Sequence, residues 1–329
     1  MVHGPIPRRV RTYRNHHLDS TRWDRFRPRL GDVVISTSPK AGTTWLQRIL
    51  SLLIFGPGRL PDTLWRLSPW IDSRVAGPID IMIERTERQD HQRFVKSHLP
   101  LDALPYQPQL RYIYVGRDTR DVFVSLWNHY RSHTDFTYEA LAAGDPEGGP
   151  IPRCPNDPRD LWRAWITRGS FPWETDGWPF WSHHYHAASF WQFRHLPNLL
   201  LVHYNDLLAD PAGQMRRIAE FVRIDVPAER WPALVDAAGF DTMKRQADRL
   251  IPETFLMLEG GPTRFFHKGT NGRWRQVLNT DDLVFYERAA AALDPDLRRW
   301  LEAGSLVAGD PQVEASHVPA SAQPHAVKP

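Results

Sequence analysis

The segment STSPKAGTTW, residues 36–45, contains side chains that suit the binding of a negatively charged group. Lys40 supplies a full positive charge, and the hydroxyls of Thr43 and Thr44 supply hydrogen-bond donors. Gly42 permits a tight turn, after which backbone N–H groups would point toward an anion at a helix N-terminus. The lysine precedes the glycine, whereas it follows the glycine in the common nucleotide-binding loop G-x-x-x-x-G-K-[ST]. The segment predicts an anion site, with a capped helix and a surface lysine as the alternative.

Two further clusters place basic residues beside glycine or hydroxyl side chains. Arg117 follows the apolar run RYIYVG, and Ser125 comes eight residues later, two helical turns further along. The segment RFFHKGTNGRW, residues 264–274, is basic and rich in glycine, so its backbone can close over a phosphate. A guanidinium group also matches the geometry of phosphate. The alternatives are an arginine paired with Asp118 or Asp121, and a mobile surface loop.

Histidines occur in two settings that suit catalysis or ligand binding. His98 stands near Lys96 in FVKSHLPL, where an imidazole could act as a general base; a buried structural histidine is the alternative. In HHYH, residues 183–186, His183 and His186 are three residues apart and could share a helix face. No third ligand is evident, and zinc sites need three or four, so we expect no metal. We interpret this pair as lining of an acceptor pocket, with an aromatic core as the alternative.

Short apolar runs alternate with amphipathic segments along the chain. We predict strands over residues 32–37, 93–96, 111–116 and 198–204, and helices over residues 43–55, from about Asp118, and over residues 210–222. This alternation predicts an α/β fold, a three-layer P-loop-like arrangement with a central parallel sheet flanked by helices. Ligands bind at the carboxyl ends of parallel strands, so the four clusters should converge on one ligand that bears two separate anionic groups.

The remaining segments predict how the domain is organised. Residues 1–30 are basic and punctuated by proline, which indicates an irregular arm leading into a single domain over residues 31–304. Residues 134–192 form an insert rich in Trp, Gly, Pro and His, which predicts long loops with short helices. The insert is either a surface elaboration that packs its own aromatic side chains or a lid over an apolar substrate. Residues 305–329 have low complexity and predict a disordered tail.

The composition excludes several classes of protein. The chain has 329 residues, of which 41% are hydrophobic and 24% charged, as in soluble globular proteins. A net charge of +3 is too small to indicate nucleic-acid binding, and it suits an anionic small ligand. One cysteine excludes an internal disulfide. We expect no membrane span and no secretory signal, because no apolar run is long enough and the basic N-terminus lacks an apolar region. The expected location is cytoplasmic.

These motifs, in this order, resemble those of the cytosolic-type sulfotransferases, which use 3′-phosphoadenosine-5′-phosphosulfate (PAPS). PKAGTTW is similar to the family's P-K-S-G-T-T-W, KSHLP to K-T-H-L-P, and GRDTRDVFVS to R-N-x-x-D-x-x-V-S. HYNDLLADP is similar to Y-E-D-L-x-x-D-P, and HKGTNGRW to R-K-G-x-x-G-D-W. The resemblance extends from about residue 30 to about residue 300. The Trp-rich insert also resembles an actinobacterial branch that includes glycolipid sulfotransferases.

The resemblance implies a role for each matching residue. The residues implied in cofactor binding are Lys40, Ala41, Gly42, Thr43, Thr44, Trp45, Arg117, Ser125, Tyr204, His267, Lys268 and Gly269. Within this set, residues 40–44 would hold the 5′-phosphosulfate, and Trp45 and Tyr204 would contact adenine. The remaining residues, which are Arg117, Ser125, His267, Lys268 and Gly269, would hold the 3′-phosphate. His98 would be the base, Lys40 would stabilise the leaving phosphate, and Lys96 would contact the sulfonyl oxygens. In the insert we expect acceptor contacts from Trp173, Trp178, Trp181, His183 and His186.

Some positions depart from the family pattern. Ala41 stands where the family usually has Ser, which the backbone N–H tolerates, and His267 stands where Arg is usual. Arg273 occupies a position where Asp is usual, and Gly239 one where a small hydroxyl residue often contacts adenosine. The segment RQVLNTDDLV, residues 275–284, does not match the family's dimer motif K-x-x-x-T-V-x-x-x-E, which leaves the oligomeric state open.

The implied reaction is in-line transfer of the sulfuryl group from PAPS to a hydroxyl of a hydrophobic or amphipathic small molecule. His98 would accept the hydroxyl proton while Lys40 stabilises the charge that develops on the bridging oxygen. The transferred group carries less negative charge than a phosphoryl group, so lysines can serve where kinases need Mg²⁺. The alternatives are a P-loop small-molecule kinase, which the order of Lys40 and Gly42 disfavours, and a non-catalytic binding module, which retention of Lys40 and His98 disfavours.

Overall fold

Four parallel strands form a central sheet in residues 5–144 and 151–312, the part of the chain that the computed structural model describes. The strands are β1 (Val33–Ser36), β2 (Phe94–Ser97), β3 (Arg111–Gly116) and β4 (Leu199–His203). Their order across the sheet is β2-β1-β3-β4. The predicted α/β fold with a central parallel sheet is therefore confirmed. The fourth strand is shorter than predicted, because Tyr204 already begins a helix.

Helices cover both faces of this sheet. In the described residues they are α1 (Thr43–Phe55), α2 (Leu64–Leu67), α3 (Ile79–Glu87), α4 (Thr119–Tyr130), α5 (Asp135–Gly144), α6 (Pro158–Thr167), α7 (His183–Trp191), α8 (Tyr204–Ala209), α9 (Pro211–Val222), α10 (Trp231–Ala238), α11 (Phe240–Arg245), α12 (Ala247–Leu250), α13 (Gly261–Phe265), α14 (Thr280–Ala290), α15 (Pro295–Ala303) and α16 (Ser305–Ala308). The three predicted helices are present as α1, α4 and α9. The Asp210 carboxylate caps α9 by accepting a hydrogen bond from the Gly213 N–H at 2.8 Å.

The strands bury both of their faces, as expected for a parallel sheet. Alternate side chains of β3, such as Tyr112 and Tyr114, pack into one core together with α4, α6, α7, α14 and α15. The intervening side chains, such as Ile113 and Val115, pack into a second core with α1, α9 and α10. The fold therefore has three layers. Because helices cover both faces of the sheet, a ligand can reach it only at the loops that follow the strands.

The N-terminal arm packs into the domain. It is irregular apart from a 3₁₀-helix, Ser20–Arg25, but Tyr13 and Trp23 are buried in the first core. Leu18 forms an antiparallel bridge with Ser73. The arm is therefore a structural part of the domain, and the boundary predicted at residue 30 does not separate it from the core.

The Trp-rich insert contains α5, α6 and α7, in agreement with the predicted short helices, while residues 145–150 lie outside the described part. Its aromatic side chains supply much of the first core. Trp162 and Trp165 are buried and contact Phe123 of α4. Phe180 stacks on Tyr130 with ring centroids 3.9 Å apart. The insert thus packs its own aromatic residues against the sheet layer, and a lid motion stays a prediction.

The prediction of a disordered tail from Ser305 is wrong for residues 305–312. This segment forms α16 and then places Gln312 beside the edge strand β4. The Gln312 side chain accepts a hydrogen bond from the Leu201 N–H at 2.9 Å and donates one to the Leu199 carbonyl at 2.7 Å. Its amide thus satisfies backbone groups that an edge strand would leave open. The rest of the predicted tail, residues 313–329, lies outside the described residues.

The contact of Gln312 with the sheet edge generates a prediction. Gln312→Ala should lower the free energy of unfolding by about 1–3 kcal/mol, because it leaves backbone groups of β4 without partners. Gln109→Ala, at an exposed glutamine, should change it by less than about 0.5 kcal/mol. Urea denaturation followed by circular dichroism measures both values. Equal stability of the two variants would contradict the role of Gln312.

Candidate active site

A cavity of about 480 Å³ opens at the carboxyl ends of the strands. The chain runs from β1 to β2 on one side of the sheet and then to β3 on the other, so the topology reverses between β1 and β3. Ligands of open α/β sheets bind at such a reversal. Lys40 follows β1 and Arg117 follows β3, and both line the cavity. The structure therefore brings together the clusters that the sequence placed at strand ends.

The loop after β1 has a backbone shape that only certain residues permit. Lys40 adopts a left-handed conformation with φ 68°, and Gly42 has φ 132°. A Cβ on Gly42 would lie 3.1 Å from the Tyr204 ring and 3.2 Å from Val115, so glycine is required there. Both residues line the cavity together with Thr43, Thr44 and Trp45.

Ala41 is the exception among the loop residues. It is fully buried, and its N–H donates to the Ser38 carbonyl at 3.3 Å, within the loop itself. Ala41 does not line the cavity, and its expected part in cofactor binding stays a prediction. The small methyl side chain fits the core beneath the loop.

Arg117 connects three cationic loops, which are the loop after β1, its own loop after β3, and the segment of residues 264–274. Its guanidinium donates to the Lys40 carbonyl at 3.0 Å and to the Asn271 side chain at 2.7 and 3.0 Å. It also lies 4.0 Å over the ring of Tyr204. The Tyr204 ring in turn contacts Trp45 edge-on at 5.2 Å. These contacts join the predicted 5′ and 3′ anion sites into one continuous surface.

The loop over residues 264–274 forms the second half of the cationic wall. His267, Lys268 and Gly269 line the cavity, as does Ser125 of α4. Gly269 has φ 67°, and a Cβ there would lie 2.3 Å from the Phe240 ring, so the loop approaches α11 closely. Burial and neighbouring cations lower the pKa of His267 to about 4, so its ring is neutral near pH 7.

His98 has a defined tautomer. Its Nδ1 lies 2.7 Å from the Thr37 carbonyl, which can only accept, so Nδ1 carries the hydrogen. The Nε2 atom of the neutral ring then has a free lone pair. Burial, followed by the charge of Lys96, moves the pKa of His98 well below its usual value, so the ring is neutral. His98 lines the cavity and has the form that a general base requires.

Two lysines, Lys40 and Lys96, face the same cavity, and neither forms an ion pair with a carboxylate of residues 5–144 or 151–312. The Lys40 ammonium lies 4.1 Å from the centroid of the Phe265 ring, and the Lys96 ammonium lies 4.2 Å from that of Trp70. Burial, with the charges of Arg117 and Lys96, lowers the pKa of Lys40 to about 7. Burial lowers the pKa of Lys96 to about 8. An anion bound in the cavity would raise both pKa values, so that both lysines would stay protonated at higher pH.

The five residues of the insert expected at the acceptor fall in different places. Trp181 lines the cavity, with its ring 5.9 Å from that of His98. Trp178 lines a separate cavity of about 220 Å³. Trp173 does not line either cavity; its indole N–H donates to the Tyr13 hydroxyl at 3.1 Å and fastens the arm. The acceptor interpretation keeps a direct structural basis only for Trp181.

His183 and His186 occupy the core behind the cavity, which corrects their interpretation as acceptor lining. The His183 ring bridges the Ser38 hydroxyl and the Arg117 carbonyl, so it joins the loops that follow β1 and β3. The His186 ring lies 3.3 Å from the Ser36 hydroxyl and stacks beside Tyr114. Both are buried, because α7 packs its histidine face onto the sheet. These rings support the site from behind.

The family model described as Sulfotransferase domain matches residues 30–293. The chain belongs to the sulfotransferase family. A glycolipid sulfotransferase of Mycobacterium bovis is 33% identical over 319 residues, covering 91% of this chain and 96% of that protein. Sulfotransferase 1A1 of Rattus norvegicus is 27% identical over 262 residues, covering 75% of this chain and 79% of the other.

Solved structures show the same fold. Mouse sulfotransferase SULT7A1 complexed with PAP has a TM-score of 0.64 at 21% identity, covering 86% of this chain and 92% of that chain. Retinol dehydratase in complex with androsterone and inactive cofactor PAP has a TM-score of 0.62 at 21% identity, covering 84% and 87%. The predicted enzyme class, a PAPS-dependent sulfotransferase, is confirmed by the family membership.

The sulfotransferase cavity also contains residues that the sequence reasoning missed. His17 of the arm, His129 of α4 and the nearby His133 all line it, as does Trp70. One signal was available, because His129 follows Ser125 by four residues and so lies on the same helix face. No signal marked His17, because a short basic arm gives no indication of where it packs.

Two findings limit the kinds of site present. In residues 5–144 and 151–312, no group of three His, Cys, Asp or Glu side chains is placed to hold a metal ion. None of the helices in the described part of this sulfotransferase is both long enough and apolar enough to cross a bilayer. The expected cytoplasmic location stays a prediction.

The low pKa of Lys40 generates a prediction for binding of adenosine 3′,5′-bisphosphate (PAP). A bound anion raises the Lys40 pKa above its free value of about 7, so binding takes up protons above that pH. Affinity should therefore fall as pH rises from about 7, by up to about tenfold per pH unit for each proton taken up. Isothermal titration calorimetry in two buffers of different ionisation enthalpy measures this uptake.

Lys40→Arg is the matched control, because an arginine stays charged over this pH range. It should bind PAP with less proton uptake at pH 8, while Lys96 continues to contribute. Identical uptake in both proteins would show that Lys40 is not the group that titrates.

Proposed function

We propose that this enzyme transfers the sulfuryl group of PAPS to a hydroxyl of a hydrophobic or amphipathic small molecule, with His98 as the base. The observation that carries the proposal is the arrangement of the neutral His98 imidazole, with a free Nε2 lone pair, in the same cavity as two half-buried lysines. The cationic loops on the other side of the cavity supply separate places for two anionic groups.

The residues present fit PAPS. In the proposed arrangement, Lys40, Gly42, Thr43 and Thr44 hold the 5′-phosphosulfate. The cluster of Arg117, Ser125, His267, Lys268 and Gly269 holds the 3′-phosphate. Trp45 and Tyr204 lie between these groups and offer aromatic surface to the adenine. Burial lowers the proton affinity of both lysines, and an anionic ligand would offset the free-energy cost of their charges.

The proposed mechanism assigns one task to each of three residues. His98 accepts the proton of the acceptor hydroxyl at Nε2, while the Thr37 carbonyl keeps Nδ1 protonated and the ring oriented. Lys40 stabilises the negative charge on the oxygen that leaves sulfur, and Lys96 contacts the sulfonyl oxygens. The sulfur–oxygen bond to the acceptor forms as the bond to the leaving phosphate breaks, so no covalent enzyme intermediate is needed.

The acceptor side of the cavity combines apolar and polar lining. Trp65, Trp70, Val75, Leu141 and Trp181 give apolar surface there. His17, His129 and His133 add imidazoles whose pKa values are lowered by burial, so the rings are neutral and can both donate and accept hydrogen bonds. This mixture favours an amphipathic acceptor over a purely apolar one. The relatives described as glycolipid sulfotransferases are consistent with that class.

The base assignment is tested by a pair of variants with opposite expected effects. His98→Ala should lower kcat by about 10²- to 10⁴-fold, because it removes the proton acceptor. Its affinity for PAP should stay within about twofold, because the ring is not part of the cationic cradle. Arg117→Ala should instead weaken PAP binding by at least about tenfold, since it loses a charge-assisted contact to phosphate.

Turnover is measured by mass spectrometry with PAPS and a panel of hydroxyl acceptors, and PAP affinity by calorimetry. Substantial turnover by His98→Ala would overturn its role as the base. Preference for ATP with Mg²⁺ over PAP in a thermal-shift assay would overturn the sulfotransferase chemistry in favour of a kinase.

Independence from metal is a further prediction. The sulfuryl group carries less charge than a phosphoryl group, and the lysines supply the positive charge that a metal supplies in kinases. Sulfuryl transfer should therefore proceed at an unchanged rate after dialysis against EDTA. A rate that falls with EDTA and returns on addition of Mg²⁺ would show that the lysines are not sufficient.

A further inference from the structure

Asp72 is a fully buried carboxylate immediately behind the proposed catalytic residues. It follows a short segment that runs beside β2, where the Lys96 N–H donates to the Pro69 carbonyl and the Ile71 N–H donates to the Lys96 carbonyl. The carboxylate does not line the cavity, and no resemblance or motif in the sequence marked it.

The Asp72 carboxylate accepts hydrogen bonds from three separate parts of the chain. One oxygen accepts from the indole N–H of Trp23 in the arm at 3.0 Å. The other accepts from the indole N–H of Trp70 at 2.7 Å and from the backbone N–H of His98 at 3.2 Å. Burial raises the pKa of this carboxyl group, and the contacts with Ser97, Trp70, His98 and Trp23 act against that rise. Both oxygens are thus fixed by rigid donors, which is how a buried charge is kept in proteins.

Two of these contacts reach the proposed chemistry directly. The Trp70 ring lies 4.8 Å from the His98 ring, at 89° to it, and 4.2 Å from the Lys96 ammonium. The indole held by Asp72 therefore forms a wall against which both functional groups rest. The hydrogen bond to the His98 backbone fixes the point from which the imidazole projects, because it lies at the end of β2.

We propose that Asp72 is a positioning residue for sulfuryl transfer, which holds Trp70 and the His98 backbone so that the imidazole and the Lys96 ammonium keep their places beside the reacting groups. The inference rests on the proposed roles of His98 and Lys96. It also gives the arm a part in the reaction, because Trp23 delivers one of the hydrogen bonds and the Asp19 N–H donates to the Asp72 carbonyl at 2.8 Å.

Asp72 also affects the charge of Lys96. Its carboxylate raises the pKa of Lys96, against the larger lowering caused by burial. The other charged or titratable groups of the described residues that act near Lys96 and Asp72 are Lys40 after β1, His98 after β2, His17 and Arg22 of the arm, His129 of α4, and the acidic Asp19, which acts together with Asp72 on Arg22. Removal of the carboxylate charge should therefore lower the pKa of Lys96 further and remove its proton at a lower pH.

Asp72→Asn tests the proposal, because it keeps the size of the side chain but removes the charge and one acceptor oxygen. We expect kcat to fall about 10- to 100-fold, as for a small misplacement of catalytic groups, with PAP affinity nearly unchanged. The high-pH limb of the kcat profile should move about one unit toward lower pH, because Lys96 loses its proton earlier. A purely structural role would lower stability and leave this limb in place.

Asp282→Asn is the matched control. Asp282 is also a fully buried carboxylate, but it caps α14 and does not line the cavity. This variant should lower the melting temperature and keep the native pH profile. Trp23→Phe is a second test in case Asp72→Asn does not fold, since it removes one indole N–H and keeps the charge. It should lower kcat about threefold or more without moving the high-pH limb.

The outcomes separate the two proposals. Loss of turnover in His98→Ala with native kcat in folded Asp72→Asn would overturn the positioning role and leave the proposed function intact. If Asp72→Asn fails to fold, native kcat in Trp23→Phe would overturn it equally. Full turnover in His98→Ala would instead remove the base assignment on which the positioning role depends. The proposal is supported if Asp72→Asn has a lower kcat and a shifted high-pH limb while Asp282→Asn shows neither change.

Discussion

Positive charge that converges on one cavity is the constraint on which this structure depends. Lys40, Lys96 and Arg117 line one cavity, and each of the two ammonium groups lies over an aromatic ring. Burial of such charges costs free energy, which appears here as lowered pKa values of both lysines. An anionic ligand offsets that cost, so the cavity favours ligands that carry two anionic groups.

A site of this kind needs a rigid frame, since repelling groups would otherwise move apart. The frame consists of polar contacts that cross between elements distant in sequence. Arg117 donates to the Lys40 carbonyl, and His183 joins Ser38 to the Arg117 backbone. Each contact uses a group whose hydrogen-bonding role is fixed by its partner. The aromatic insert then packs this frame against the sheet through large side chains such as Trp162.

The sheet and the cationic loops could be predicted because their signals are local. A β-branched run, a glycine at a tight turn and a lysine beside it are all read within about ten residues. The contacts of the insert could not be predicted from the sequence, because the segment HHYH is the same whether His183 faces a ligand or the back of a loop. The position of His17 depends on how the arm packs, which involves residues such as Ser73 far along the chain. Gln312 likewise looked like part of a low-complexity tail until the open edge of β4 was known.

Electrostatics also clarifies the departures from the family pattern in the third cationic loop. His267 is neutral near pH 7, so it does not replace the charge of the usual arginine. Arg273, where the family usually has an aspartate, lines the same cavity and brings a guanidinium. The nearby Asp121 carboxylate accepts two hydrogen bonds from the Gly272 N–H, at 2.8 and 3.0 Å, and raises the pKa of Arg273 against the larger lowering by burial. The segment HKGTNGRW thus carries two cations, Lys268 and Arg273, and lacks the aspartate of the family pattern, so its net positive charge is one unit higher than that of R-K-G-x-x-G-D-W. A cradle for an anion depends on the total charge near the ligand and on backbone N–H direction, so these departures keep the loop cationic despite the loss of the usual arginine.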